Sequence, residues 1–171
     1  CTTRYNCGYN GAKGSVYEGG IGVPMVVRWP AQLPARERRD AVVHFTDWYP
    51  TLLQAIQAQP PEGPPLDGRS ALAVLCGEAE ALEGPRFWQW NRYTPVVECN
   101  AAMRDGPWKL VRPRIAEAMQ VAQEDLEMDR ALKYRPDEFQ EIRRGPEPSR
   151  QLPPPPAPEL YNLTDDPLEQ Q

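Results

Sequence analysis

The chain has 171 residues, 40% of them apolar, with five tryptophans and a net charge of −5. That length and content suffice for one domain with a packed core and a small appendage, and the acidic balance excludes a basic field for nucleic acid. No run approaches the roughly 20 apolar residues needed to span a bilayer, and 21 prolines assign much of the path to loops.

Residues 1–20 read as loop. Within them Gly11–Pro24, GAKGSVYEGGIGVP, surrounds one lysine, one tyrosine and one glutamate with five glycines. Glycine permits close backbone approach or positive φ, so the stretch suggests a loop shaped around something small and charged. Ile21–Trp29 is a nearly continuous apolar run stopped by Pro30, the pattern of a buried strand in an α/β sheet. Ala41–Phe45 suggests a second short strand. Thr46 or Asp47 then caps a helix reaching about Ala58, with Pro50 in its first turn and Leu52, Leu53 and Ile56 as its apolar stripe. Ser70 caps a short helix, Ala71–Cys76, that Gly77 ends.

After a Glu-rich linker the period changes to two. Val97, Cys99, Ala101 and Met103 alternate with Glu98, Asn100, Ala102 and Arg104, the mark of a half-buried strand. Asp105-Gly106 signals a hairpin turn, with Trp108–Val111 as the return strand. Phe87–Trp90 and Leu160–Leu163 add strands, which predicts a small antiparallel sheet of three or four. Ile115–Arg144 reads as helix broken near Pro136, with Asp137 and Glu138 in the first turn of the second piece. Pro146–Pro158 holds seven prolines and reads as an extended spacer.

Among side chains that carry chemistry, Lys13 stands first, because an ammonium on a Gly-rich loop is a compact charge suited to an anionic group. Tyr17 is expected to pack under the loop, and Glu18 to accept hydrogen bonds from backbone or arginine. His44, the single histidine, reads as structural. Asp47 reads as an N-cap rather than a metal ligand. Trp88, Trp90 and Trp108 suit sheet packing better than a sugar or aryl pocket. Asn162-Leu163-Thr164 is a sequon of a kind common by chance. Cys1, Cys7, Cys76 and Cys99 show no Cys-x-x-Cys pairing, which argues against zinc and leaves disulfides open.

Lys13-Gly14-Ser15-Val16-Tyr17-Glu18-Gly19-Gly20-Ile21, with Val23-Pro24 and Arg28-Trp29-Pro30, resembles the lysine-bearing signature of the second half of type I sulfatases. The order continues with Asp47-Trp48-Tyr49-Pro50-Thr51-Leu52-Leu53, with Leu66-Asp67-Gly68-Arg69-Ser70, and with Arg104–Val111. It closes with Glu159-Leu160-Tyr161-Asn162-Leu163 and Asp166-Pro167. Five ordered landmarks leave about residues 115–150 unmatched.

The resemblance implies the C-terminal portion of an alkaline phosphatase-like α/β fold: the edge of a large mixed sheet plus a small antiparallel sheet with packed helices. It divides the chain into residues 1–80, the end of the large domain, and 81–171, a C-terminal subdomain with a helical insertion at 115–145 and a Pro-rich linker at 146–158. It also implies hydrolysis of sulfate monoesters by a formylglycine nucleophile, with Lys13 contacting the sulfate as catalytic and substrate-binding residue. The formylglycine motif, Cys-x-Pro-x-Arg, fits none of the four cysteines, since Cys1 is followed by Thr2-Thr3-Arg4. The nucleophile and the ligands of the family's calcium are therefore expected upstream, in the remainder of a longer protein, and no metal ligand is expected here. Gly22 stands where the family usually has arginine, which questions how firmly Lys13 is held. The expected partner is a small-molecule or glycan sulfate ester, and the expected compartment is periplasmic or secreted. Two rivals stay open: a phosphodiester or phosphonate hydrolase of the same superfamily, and a non-catalytic or carbohydrate-binding piece.

Overall fold

The computed structural model describes residues 5–139, 145 and 147–170. They form two compact units, Val23–Arg86 and a second made of the residues up to Gly22 with those from Phe87 onward. The Gly-rich loop groups with the sheet, because Val16 lies in the sheet's core and Tyr17 packs against it.

The Val23–Arg86 unit is built around one buried carboxylate. A 3-10 turn, Phe45–Asp47, leads into helix α2, Trp48–Ala55. His44 and Asp47 form a capping box: the His44 N–H donates to Asp47 Oδ2 at 2.8 Å, and the Thr46 N–H donates to His44 Nδ1 at 3.3 Å. Asp47 also accepts from the Arg69 N–H at 2.9 Å and from Arg86 Nε at 3.2 Å. Thr51 Oγ1 donates to the Asp47 carbonyl and accepts from the Ala71 N–H at 2.8 Å, tying α2 to the start of α3, Leu72–Cys76. Ser70 Oγ accepts from the Leu72 N–H, and Gly77 ends α3 in the left-handed region as expected.

The two strands expected in this stretch do not form. Ile21 instead closes a one-turn helix, α1, Glu18–Ile21. Residues 23–28 carry no ladder and are exposed, Val26 to 96%. An apolar run becomes a buried strand only where a neighbouring strand takes its N–H and C=O groups, and among the described residues of this unit no strand does so. Residues 41–44 likewise form no strand, and the His44 backbone serves the cap instead.

The other unit holds four strands, β1 Arg86–Gln89, β2 Ala101–Asp105, β3 Trp108–Arg112 and β4 Glu159–Asn162, in the order β1-β2-β3-β4. β2 and β3 are antiparallel from Ala101↔Arg112 to Asp105↔Trp108, so the hairpin loop is Gly106-Pro107, one residue later than expected. β3 and β4 are antiparallel from Trp108↔Asn162 to Val111↔Glu159. Ala102, Lys109, Val111 and Tyr161 point to the packed face, whereas Met103, Leu110 and Leu160 face outward and are exposed. β2 starts at Ala101 rather than Val97 because Asn100 has a φ of 47°, which breaks the extended path. Cys99 is instead buried with Ile115 and Ala118 in a second small cluster.

Helix α4, Gln123–Tyr134, follows a 3-10 turn at Ala116–Met119. The helix expected after Pro136 appears as one 3-10 turn, Pro136–Glu138, and its expected continuation at 140–144 lies outside the described residues. Residues 147–158 have no regular structure, as expected of a proline-rich spacer, yet the segment is not free of the domain. Glu147 accepts from the Thr94 N–H at 3.0 Å, and Arg150 donates to the carbonyls of Arg92, Thr94 and Ala118 at 3.0–3.2 Å.

Candidate functional site

Ala12–Ser15 form a tight turn in which the Ser15 N–H donates to the Ala12 carbonyl at 2.9 Å and Gly14 has a φ of +94°. A positive φ at the third position is the type II signature and requires glycine there. Lys13 occupies the second corner, exposed and with no ion pair among the described residues. The glycines fold the loop onto itself rather than line a concave pocket: a Cβ on Gly20 would stand 2.2 Å from the Ser15 carbonyl oxygen.

Everything behind Lys13 is fixed. Val16 is buried between the loop and the sheet. Tyr17 packs edge-on to Tyr161 with ring centres 6.4 Å apart, and both hydroxyls donate to Glu159 Oε2 at 2.7 Å. Burial, and next the hydrogen bond to that carboxylate, hold both phenols well above the ordinary tyrosine range. Glu18 accepts from Lys109 Nζ at 2.8 Å and pairs with Arg104 at 3.5 Å, while its own N–H donates to Glu169 Oε2 at 2.6 Å. Lys109 pairs with Glu169 as well, at 2.7 Å, and both side chains are fully buried. Burial pushes the Glu169 carboxyl up, against the pull of the Lys109 ammonium. Packing of Tyr17 under the loop matches the expectation, whereas the Glu18 carboxylate takes its hydrogen bond from Lys109, with Arg104 as an ion-pair neighbour.

Asn100 completes the mount. Its buried amide donates to the carbonyls of Gly14, at 3.0 Å, and of Trp90, at 2.7 Å. One side chain thus fastens the lysine turn to the segment following β1. Gly14 lies against the Trp90 indole, and the Arg92 guanidinium sits 4.8 Å from the centre of the same ring system. Trp88 packs on the core as expected, whereas Trp90 and Trp108 are exposed and do not serve as sheet packing.

Other sequence candidates have structural employment. His44 caps the 3-10 turn, and burial lowers its pKa against the opposing pull of Asp47. Asn162 is engaged in a turn, donating to Asp165 Oδ2 at 2.7 Å and accepting from the Thr164 N–H. Cys7, Cys76 and Cys99 are free thiols. Among the described residues no three His, Cys, Asp or Glu side chains gather to hold a metal. The buried carboxylates of Asp47 and Glu169 are already matched to Arg86 and Lys109.

Lys109, Glu169, Glu159, Asn100 and Arg92 were not singled out from sequence. Lys109 left a trace, since a charge on the packed face of an alternating strand needs a partner. Asn100 left only its tolerance of left-handed backbone.

The family profile described as N-sulphoglucosamine sulphohydrolase, C-terminal, matches residues 9–147. The chain belongs to the sulfatase family, as a C-terminal portion. Human steryl-sulfatase is 29% identical over 102 residues, covering 59% of this chain and 18% of its own length. An ulvan-active sulfatase of Formosa agariphila is 26% identical over 161 residues, 92% of this chain and 30% of that protein. Human arylsulfatase D is 36% identical over 80 residues, 46% of this chain and 13% of that enzyme. A solved structure, titled for the metabolism of multiple glycosaminoglycans by Bacteroides thetaiotaomicron, superposes with a TM-score of 0.61 at 24% identity over 96% of this chain and 28% of its own. That likeness establishes the mixed α/β fold with its small antiparallel sheet. The sulfatase portion thus spans less than a third of the length of these proteins.

Proposed function

We propose that this chain supplies the sulfate-gripping lysine of a longer sulfatase, with Lys13 as its catalytic and substrate-binding residue. The observation that carries the reading is the contrast within the loop. Lys13 is exposed and has no ion pair among the described residues, while the residues behind it are locked by Asn100, Tyr17 and Glu18. Sulfate-ester cleavage places negative charge on the transferring and leaving oxygens, and a cation fixed in advance lowers that barrier without reorganising during the reaction. At 4 Å such a contact is worth roughly 1 kcal/mol in water and about 4 kcal/mol at an effective dielectric of 20.

The missing arginine at position 22 does not release the lysine, because the clamp is built from other residues. The Gly22 N–H donates to the Glu18 carbonyl at 2.8 Å, closing α1, and the Glu18 carboxylate is held by Lys109 and Arg104. In the longer protein a formylglycine would attack sulfur, the alcohol would depart, and Lys13 would hold the sulfate throughout. That nucleophile and the family's calcium would belong to polypeptide outside this chain, so the 171 residues by themselves would be inactive. The substrate would be a sulfate ester of a small molecule or glycan. No helix among the described residues is long and apolar enough to cross a membrane, and the family resemblance supports an exported protein, periplasmic or secreted.

The test is Lys13→Ala in the full-length protein, assayed on an aryl sulfate. A fall in kcat/KM of about a hundredfold or more is expected, the scale of removing one preorganised charge-stabilising donor. An unchanged kcat/KM would remove Lys13 from the site, and turnover by the isolated chain would refute the division of labour.

A further inference from the structure

We infer that Trp90 and Arg92 form a second recognition element beside Lys13, which selects sulfate esters carrying an additional anionic group, a carboxylate or a second sulfate. The inference rests on the sulfatase reading and names the substrate class that the same site would prefer. Four observations converge on it. Trp90 is 42% exposed although its ring lies beside the lysine turn, where a Cβ on Gly14 would meet it at 3.4 Å, and the Arg92 guanidinium sits 4.8 Å from its centre. Arg92 is exposed, and among the described residues no carboxylate pairs with it. A guanidinium held over an aromatic face loses rotamer freedom but keeps N–H edges that fit a carboxylate or sulfate as a fork. Asn100 fixes the Trp90 carbonyl and the Gly14 carbonyl with one amide, so the two cationic residues project from segments in a set relation.

The loop carrying Arg92 is also braced from behind by the very stretch that matched no sulfatase landmark. Arg150 donates to the carbonyls of Arg92 and Thr94 and lies 5.4 Å from the Tyr93 ring centre. The Tyr93 hydroxyl donates to Asp125 in α4 and accepts from the Ala122 N–H. Glu147 takes both the N–H and the hydroxyl of Thr94. Three polar side chains, Asp125, Glu147 and Arg150, thus converge on the three consecutive residues 92–94. In this reading Arg92 touches substrate, and Arg150 is a positioning residue acting through it.

The experiment compares phenyl sulfate with the three carboxyphenyl sulfates in the full-length enzyme, as wild type and as Arg92→Gln, Arg92→Lys, Arg150→Met and Lys13→Ala. For at least one carboxylated ester, R92Q is expected to lower kcat/KM about tenfold more than it does for phenyl sulfate, chiefly through KM. R92K retains most of that preference, and R150M loses part of it. A uniform effect of R92Q on all four esters overturns the inference while leaving the sulfatase reading intact. Absence of turnover of any sulfate by the wild type, or full activity of K13A, fells the underlying reading and this inference with it.

Discussion

Lys109 and Glu169 meet at 2.7 Å with neither side chain reaching solvent, and the same ammonium serves Glu18 at 2.8 Å. One cation between two carboxylates makes this position sensitive to deletion, because removing it strands the buried Glu169 and leaves Glu18 to Arg104 alone. Lys109→Met is expected to cost about 3–5 kcal/mol, read as a lower urea midpoint. Glu169→Gln, which keeps the shape and leaves Lys109 paired with Glu18, is expected to cost less. Equal midpoints for K109M and wild type would show that the cluster holds nothing.

Asn100 offers a cleaner dissection. Asn100→Asp keeps size and tolerance of a φ of 47° but removes both donations to the Gly14 and Trp90 carbonyls. A loss of at least about 2 kcal/mol is expected, since a buried acceptor left unpaired costs about 1–3 kcal/mol. Amide exchange at Gly14 and Ser15 should accelerate in step. An N100D protein as stable as wild type would mean that the lysine turn is held elsewhere.

His44 gives a pH-dependent readout that is free of overlap, because it is the chain's single histidine. Its pKa lies below the usual 6.5, pushed down by burial and by Arg86 and pulled up by Asp47. The unfolded chain therefore takes up a proton before the folded one does. Stability conferred by the neutral ring is fully present above about pH 6.5 and is lost as pH falls through the folded pKa. A protonated Nδ1 also cannot accept from the Thr46 N–H. Titration of the imidazole resonance by NMR should give a midpoint below 6.5, and His44→Asn, which preserves an accepting cap, should flatten the stability slope between pH 7 and 5. A midpoint above 6.5 would reverse the sign.

Arg150 tests whether the proline-rich segment is attached. Its guanidinium donates to three backbone carbonyls from a mostly buried position. Arg150→Met is expected to cost about 1–2 kcal/mol and to raise hydrogen exchange at residues 91–95 and 147–152 together. Exchange confined to 147–152 would show that the segment leans on the loop without supporting it.

The sheet and its hairpin were legible because alternation and a turn signal act locally, but the facing of β2 was not: alternation sets Ala101 and Met103 inward, whereas Ala102 is the buried residue and Met103 faces outward, because the left-handed Asn100 resets the path before the strand begins. The end of α3 was legible from Gly77, whereas its start falls one residue later than expected, with Ala71 at the N-cap and Ser70 just before it accepting from the Leu72 N–H. The run from Ile21 to Trp29 was misread because its pattern describes a strand between neighbours that the described residues do not supply. The mount of Lys13 was illegible for a different reason. Glu18 and Glu169 are 151 positions apart, and Asn100 and Gly14 are 86 apart. No periodicity within a segment reports a backbone-to-carboxylate bond or an amide clamp closed over such distances. Lys13 itself stood out through its local motif, whereas what holds it is a property of the folded sheet.

The unpaired stretch at Val23–Val27 has a consequence for handling the molecule. Apolar and uncovered, it offers a surface onto which identical chains can add. Light scattering on the purified 171-residue polypeptide should therefore reveal growing oligomers, and a lysine placed at Val26 should restore a monodisperse solution.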